Sequence, residues 1–134
     1  MKFLVDSDVL IELIRMKKID VVEKFETHYS DCVLSSVTVA ELDYGVRKSQ
    51  KQEHNREQLD RVLQVFRVID FTYQDALHAG EIRAELESTG RRIGEHDTLI
   101  AAQARSRELT LVTGNVREFE RVPGLRVENW LEAR

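Results

Sequence analysis

Phe3-Leu4-Val5-Asp6-Ser7-Asp8-Val9-Leu10 is the stretch on which the fold turns. Three consecutive apolar residues bounded by charge read as a short strand buried on both faces. Asp6-Ser7-Asp8 then supplies helix N-cap chemistry, and Val9, Leu10, Leu13 and Ile14 recur at helical spacing. The same order returns downstream. Cys32-Val33-Leu34 reads as a buried strand, Ser35 and Ser36 as cap candidates, and 37–47 as a helix. Residues 67–71 are strand-like, 75–87 helical, 90–94 a loop, and 98–107 an Ala-rich helix. A β-rich run at 109–113 follows, and Asn115 opens a short helix. Two further helices fall at 21–29 and around Leu59, Val62, Leu63 and Phe66, which keep the i, i+3, i+4, i+7 pattern. Strands alternating with helices predict an α/β fold with a mostly parallel sheet. Such sheets carry their sites at the C-terminal strand ends, here Asp6, Ser35/Ser36 and Thr113.

The chain has 134 residues and neither repeats nor a Gly/Ser/Pro-rich linker, so one domain over 1–134 is expected. Cys32 is the single cysteine, which excludes an intrachain disulfide and favours a reducing compartment such as the cytoplasm. No apolar run approaches the length of a membrane span or a secretory segment. The formal charge is -4, with eleven Lys/Arg against twelve Asp/Glu in 1–67 and nine against twelve in 68–134. Neither half is basic, so the usual footprint of a nucleic-acid binder is missing.

The residues able to carry chemistry are acidic. Asp6 and Asp8 follow the first strand, and each alone also fits an N-cap. Glu41 lies within Val39-Ala40-Glu41-Leu42, a helical stretch apolar enough for burial, where a carboxylate requires a partner or a cation; the alternative is that it points to solvent between core neighbours. Asp97 precedes an apolar helical face and also suits the helix macrodipole. Asn115 and Glu118 follow the strand that ends near Thr113, at the spacing of a capping box. The histidines lack zinc spacing, and neither a phosphate loop nor a Gly-x-Ser-x-Gly motif occurs. This inventory favours an oxygen-ligated Mg²⁺ or Mn²⁺. Asp6-x-Asp8 after a buried strand also resembles the haloacid-dehalogenase-type phosphatases, but the last lysine is Lys51 and no downstream Lys is left to hold a phosphoryl group.

Four blocks resemble the PIN-domain ribonuclease toxins of the VapC type: Phe3 to Asp8, Ser35 to Gly45, Ile93-Gly94-x-x-Asp97-x-x-Ile100-Ala101, and Val112-Thr113-x-Asn115-x-Arg117-Glu118-Phe119. The segment from Val122 to Trp130 is similar to the tail of such toxins, so the likeness spans the chain. It implies a PIN-like α/β/α sandwich and a divalent-metal-dependent endoribonuclease. By position, Asp6, Glu41 and Asp97 would be the catalytic, metal-binding carboxylates, with Asn115 and Glu118 completing the ligand set for one or two ions. Ser7, Asp8 and Thr113 would hydrogen-bond the carboxylates and metal waters. This chain has Ser7 where the family usually has Thr, Asp8 where Asn is usual, and Asn115 where many members have Asp. The chemistry implied is phosphodiester hydrolysis by an activated water. The resemblance also implies an RNA substrate, tRNA among the candidates, an antitoxin protein and a homodimer. A catalytically degenerate PIN domain that binds RNA or protein is the alternative.

For phosphate positioning, Arg47 and Lys48, next to Lys51, and Arg91-Arg92 are the candidates, and a solvated surface explains both groups as well. Tyr44 suits the core or a dimer interface. The helix 59–66 was a candidate for antitoxin or dimer contact through exposed apolar residues. The charge can now be weighed locally. Asp6, Asp8, Glu41, Asp97 and Glu118 in one pocket would leave the remainder at +1, and attraction for phosphate would follow metal loading.

Overall fold

A computed structural model describes residues 1–15 and 19–131. Five parallel strands, β1 Phe3–Val5, β2 Cys32–Ser35, β3 Arg67–Ile69, β4 Thr110–Val112 and β5 Val127–Glu128, form one sheet in the order β3-β2-β1-β4-β5. Phe3 stands opposite Cys32 on one side and Thr110 on the other, which makes β1 the centre of the sheet. The helices are α1 Ser7–Arg15, α2 Ile19–His28, α3 Ser36–Lys48, α4 Gln52–Val65, α5 Tyr73–Ser88, α6 Glu95–Ser106 and α7 Val116–Phe119.

Side chains alternate across each strand, so the continuous apolar runs divide between two cores. Leu4, Val33, Ile69 and Leu111 pack with Ile82 and Leu86 of α5, Ile100, Ala101 and Ala104 of α6, and Phe119 of α7. Val5, Cys32, Leu34 and Val112 face the other way, onto Val9 and Leu10 of α1, Phe25 of α2 and Val62 of α4. The result is the expected α/β/α sandwich. Trp130 closes the second core edge-on to Phe3 and Phe25, with ring centroids 5.1 and 5.2 Å away. Cys32 is buried there, and burial raises its thiol to about 12, so it packs as a small apolar group.

Local chemistry fixes the joints. Ser35 caps α3 by accepting from Val37 N–H at 3.0 Å, and Ser36 Oγ accepts from Phe71 N–H across the sheet. Thr72 and Asp75 form a reciprocal capping box on α5, and the buried Asp75 also pairs with Arg107 at 3.3 Å. At the end of α5, Gly90 takes φ +67°, which a side chain would strain, while Arg91 N–H returns to Leu86 O.

The periodicity did not predict β5. Two residues after Pro123-Gly124 are too few to show alternation, and the strand is defined by pairing, with Thr113 N–H donating to Glu128 O at 3.0 Å. The helix 59–66 also differs from expectation. Leu59, Val62 and Phe66 are buried in or beside the second core, and Val65 alone of its large apolar residues is exposed, at 59 %. No helix among the described residues is long and apolar enough to cross a membrane.

The topology has one switch point that matters. From β1 the chain builds outward through β2 to β3, then returns to the opposite side of β1 for β4 and β5. The connections leaving β1 and β4 therefore diverge, opening a crevice at their C-terminal ends. Asp6 follows β1 and Thr113 follows β4.

Candidate active site

Asp6 N–H donates to Val112 O at 2.9 Å, so the residue is anchored at the mouth of that crevice. One carboxylate oxygen accepts from Ser7 N–H and the other from the Thr113 hydroxyl, both at 2.8 Å. Thr113 Oγ1 in turn accepts from Asn115 N–H at 3.1 Å. Asp8 ties the same two connections together: its oxygens accept from Val9 N–H and Gly114 N–H, each at 2.8 Å. A Cβ on Gly114 would lie 2.7 Å from both Asp8 Oδ2 and Leu131 Cδ1, so a larger residue would have to push these side chains aside. Gly114 was not singled out from sequence, although its place between Thr113 and Asn115 is where a backbone must pass closely.

The remaining acids arrive from α6 and α7. Asp97 sits in the first turn of α6, held there by apolar burial of Ile100, Ala101 and Ala104 behind it. It is hydrogen-bonded to Glu118, which also accepts from Gly94 N–H at 3.2 Å and from Asn115 Nδ2. The expected capping box at Asn115 is absent. Asn115 is the N-cap of α7 by position, but its side chain donates to Glu118 and makes no cap bond. Glu118 is thereby turned away from the helix end and towards Asp97.

Glu41 takes the solvent-facing alternative. Its carboxylate is 45 % exposed, beside an exposed Ala40, and Thr38 and Val46 supply the buried face of α3 instead. It still reaches the cluster from the solvent side, where its charge acts on Asp6, Asp8 and Asp97. His96 Nδ1 stands 3.9 Å from Glu41 Oε2.

The electrostatics are those of crowded, poorly compensated carboxylates. Burial raises Asp6 from 3.8 to about 6 against the hydrogen bond from Thr113, and the charges of Asp8 and Glu41 add to the rise. Burial also raises Asp8, opposed by Gly114 and Val9 N–H. Asp97 rises to about 7 through burial, then through its hydrogen bond and repulsion with Glu118. Glu118 moves down despite burial, because Asp97, Gly94 N–H and Asn115 all donate to it. Among the described ion pairs, none joins a Lys or Arg to Asp6, Asp8, Asp97 or Glu118.

The basic candidates are engaged elsewhere. Arg47 pairs with Asp43 at 2.7 Å, and Lys48 Nζ lies 5.7 Å from the Tyr44 ring centroid. Arg92 is near Glu87 and Glu95, and Arg91 is exposed. Tyr44 is 63 % exposed, which rules out the core.

Residues 3–125 match the PIN domain family. The chain belongs to the PIN-domain family. This PIN domain is 40% identical over 131 residues to Ribonuclease VapC2 of Haemophilus influenzae, covering 98% of this chain and 99% of that one. It is 44% identical over 130 residues to the tRNA(fMet)-specific endonuclease VapC of Shigella flexneri, covering 97% and 98%. Among solved structures, the DNA-bound VapBC complex of Salmonella typhimurium superposes with a TM-score of 0.93 at 41% identity, covering 97% and 98%.

The donor set of this PIN domain fits a hard divalent cation in chemistry: oxygen ligands only, elevated carboxyl pKa values, and no cationic side chain paired with the inner acids. Among the described residues, no three acidic, His or Cys side chains form a ready-made metal cage.

Proposed function

We propose that this chain is the ribonuclease toxin of a toxin–antitoxin pair, a single PIN domain over residues 1–134 that hydrolyses RNA phosphodiester bonds with Mg²⁺ or Mn²⁺ in the cytoplasm. The observation that carries the reading is the convergence of Asp6, Asp97 and Glu118 on the crevice between β1 and β4, with Glu41 on its open side. The Shigella flexneri relative is named for a tRNA, which makes tRNA the substrate class to try first. VapBC complexes among the structural neighbours support an antitoxin partner, and a homodimer is the assembly we assign.

Asp6, Asp97, Glu41 and Glu118, with Asn115, would hold one or two divalent ions. When bound, such an ion supplies the positive charge and Lewis acidity that make water nucleophilic near neutral pH. Thr113 and Ser7 N–H fix both oxygens of Asp6, so its carboxylate is oriented before substrate arrives. Gly94 N–H and Asn115 Nδ2 place Glu118 beside Asp97, where the two carboxylates would together offer oxygen ligands to a cation. Asp8 holds the β1 and β4 connections at their spacing. Both of its oxygens are occupied by backbone N–H groups, which removes it as the general acid a phosphatase of the haloacid-dehalogenase type needs.

The test is incubation of the purified chain with total cellular RNA in Mg²⁺, Mn²⁺ or chelator, followed by mapping of the ends. Metal-dependent cuts with 5′-phosphate ends, lost in Asp6→Asn and Asp97→Asn, are expected. Cleavage that survives both substitutions overturns the assignment.

A further inference from the structure

A cleft of about 580 Å³ opens from the acidic crevice and runs between α1, α3 and α4. Ser7 and Glu41 stand at its junction with the acids, so the cleft and the candidate active site share two residues. One wall is Ile11 and Ile14 of α1, with Ile11 38 % exposed although strongly apolar. The opposite wall presents His54, Asn55 and Gln58 of α4, with Gln58 one turn on from each of the other two. The hydrogen bonding of Asn55 runs through its backbone, whose N–H donates to Lys51 O. Leu42 and Val46 of α3 and Leu59 of α4 complete the lining.

Gly45 is the most telling residue. It lies inside α3, where glycine weakens a helix relative to alanine. A Cβ built there meets no atom within 4 Å, so protein packing does not demand glycine. A longer side chain at this position would project into the cleft that Gly45 lines.

We propose that this cleft seats the nucleotide of single-stranded RNA next to the scissile phosphodiester, with its base edge read by Asn55, Gln58 and His54. The inference rests on the ribonuclease reading and assigns that site its neighbouring subsite. The apolar side chains of α1 and α3 suit the face of a flat base, and the side-chain amides of α4 suit its hydrogen-bonding edge, the combination by which unpaired RNA bases are recognised. The volume falls within the range of small-molecule sites, about 300–1,000 Å³. Entry past Ser7 and Glu41 brings the adjoining phosphate to the acids. Arg15, about 12 Å further along α1, supplies a cation at the other end of the groove.

The test uses the full chain with Gly45→Leu, Asn55→Leu and Gln58→Leu, and Gly45→Ala as a packing control. Binding of a fluorescent, random-sequence single-stranded RNA is measured by anisotropy with Ca²⁺ in place of Mg²⁺. Cut sites in a total tRNA pool with Mg²⁺ are read by sequencing the ends. Gly45→Leu should weaken RNA binding by about tenfold or more, with a melting temperature at or above that of the parent. Asn55→Leu and Gln58→Leu should relax nucleotide preference at one position beside the cut. Unchanged RNA affinity in Gly45→Leu, or unchanged preference in both amide variants, overturns the subsite. So does a loss confined to binding of an antitoxin peptide. If the parent binds RNA through this cleft and cuts none, the nuclease reading falls and the subsite stands. If it cuts and every variant keeps both rate and preference, the reverse holds.

Discussion

Replacing Asp6 by Asn should stabilise the metal-free protein at alkaline pH and leave it unimproved in acid. The folded protein raises this carboxyl from 3.8 to about 6, a shift worth about 3 kcal/mol. The sign follows from proton binding. Between those two values the folded state holds the proton and the unfolded state has lost it, so stability falls as pH rises. The contribution is fully present below pH 4 and gone once pH passes the folded value near 6. Asparagine carries no charge to bury, and its carbonyl can still accept from Ser7 N–H. Its amide can donate to Thr113 Oγ1, but the Thr113 O–H then loses the acceptor it has in Asp6, which offsets about 1–2 kcal/mol of the gain. Urea denaturation in chelator, from pH 4.5 to pH 8.5, is the assay. The parent should lose stability across that range and Asp6→Asn should lose less, with a gap of about 1–2 kcal/mol at the alkaline end once the unpaired Thr113 O–H is counted. A parent that grows more stable between pH 5 and pH 7, or an Asp6→Asn protein less stable than it at pH 8, refutes the reasoning.

Asp97→Asn should fold normally and lower metal-dependent RNA cleavage by at least about 100-fold, since even the outer partners of metal ligands are worth 10- to 100-fold; initial rates on total tRNA measure it. Thr113→Val removes the hydrogen bond that holds the Asp6 carboxyl down, so the acidic limb of the pH–rate profile should move to higher pH. Gly114→Ala forces a Cβ against Asp8 Oδ2 and Leu131 Cδ1 and should cost about 1–3 kcal/mol in urea denaturation. Mg²⁺ should raise the unfolding midpoint more at pH 8 than at pH 5, where Asp6 and Asp97 are protonated; equal shifts at both pH values place the cation elsewhere.

Most of the architecture was legible because the apolar runs of β1, β2 and β4 are short and each is closed by a polar residue that turns the chain. Val5 to Asp6 and Val112 to Thr113 announce strand ends directly, and a parallel sheet places strand ends together at one edge. The pairing of Asp6 with Thr113 was not legible, since 107 positions separate them and the strand order alone makes them neighbours. Glu41 stood open between burial and solvent for a definite reason: apolar neighbours in sequence need not be neighbours in space, since a helix sends successive side chains about 100° apart. Asn115 and Glu118 carried a capping-box spacing, but Asp97 and Gly94 N–H, both on the far side of the crevice, drew Glu118 away from the helix end. Spacing cannot weigh a local partner against a distant one.

The same competition resolves the paradox of an acidic chain assigned to RNA. A formal charge of -4 becomes +1 once Asp6, Asp8, Glu41, Asp97 and Glu118 are set aside, so the excess acidity belongs to one pocket and its rim. That pocket destabilises the fold, as the raised Asp6 and Asp97 carboxyls record. Backbone N–H groups of Ser7, Gly94 and Gly114 hold it together without supplying a neutralising side chain. A lysine in their place would stabilise the apo protein and occupy the position a cation needs. Leaving the charge uncompensated keeps a preference for divalent metal, and with it a means of admitting a phosphodiester only when metal is present. Stability is given up at the residues where the chemistry is proposed, and the rest of the sandwich, with apolar cores on both faces of the sheet, is what tolerates the loss.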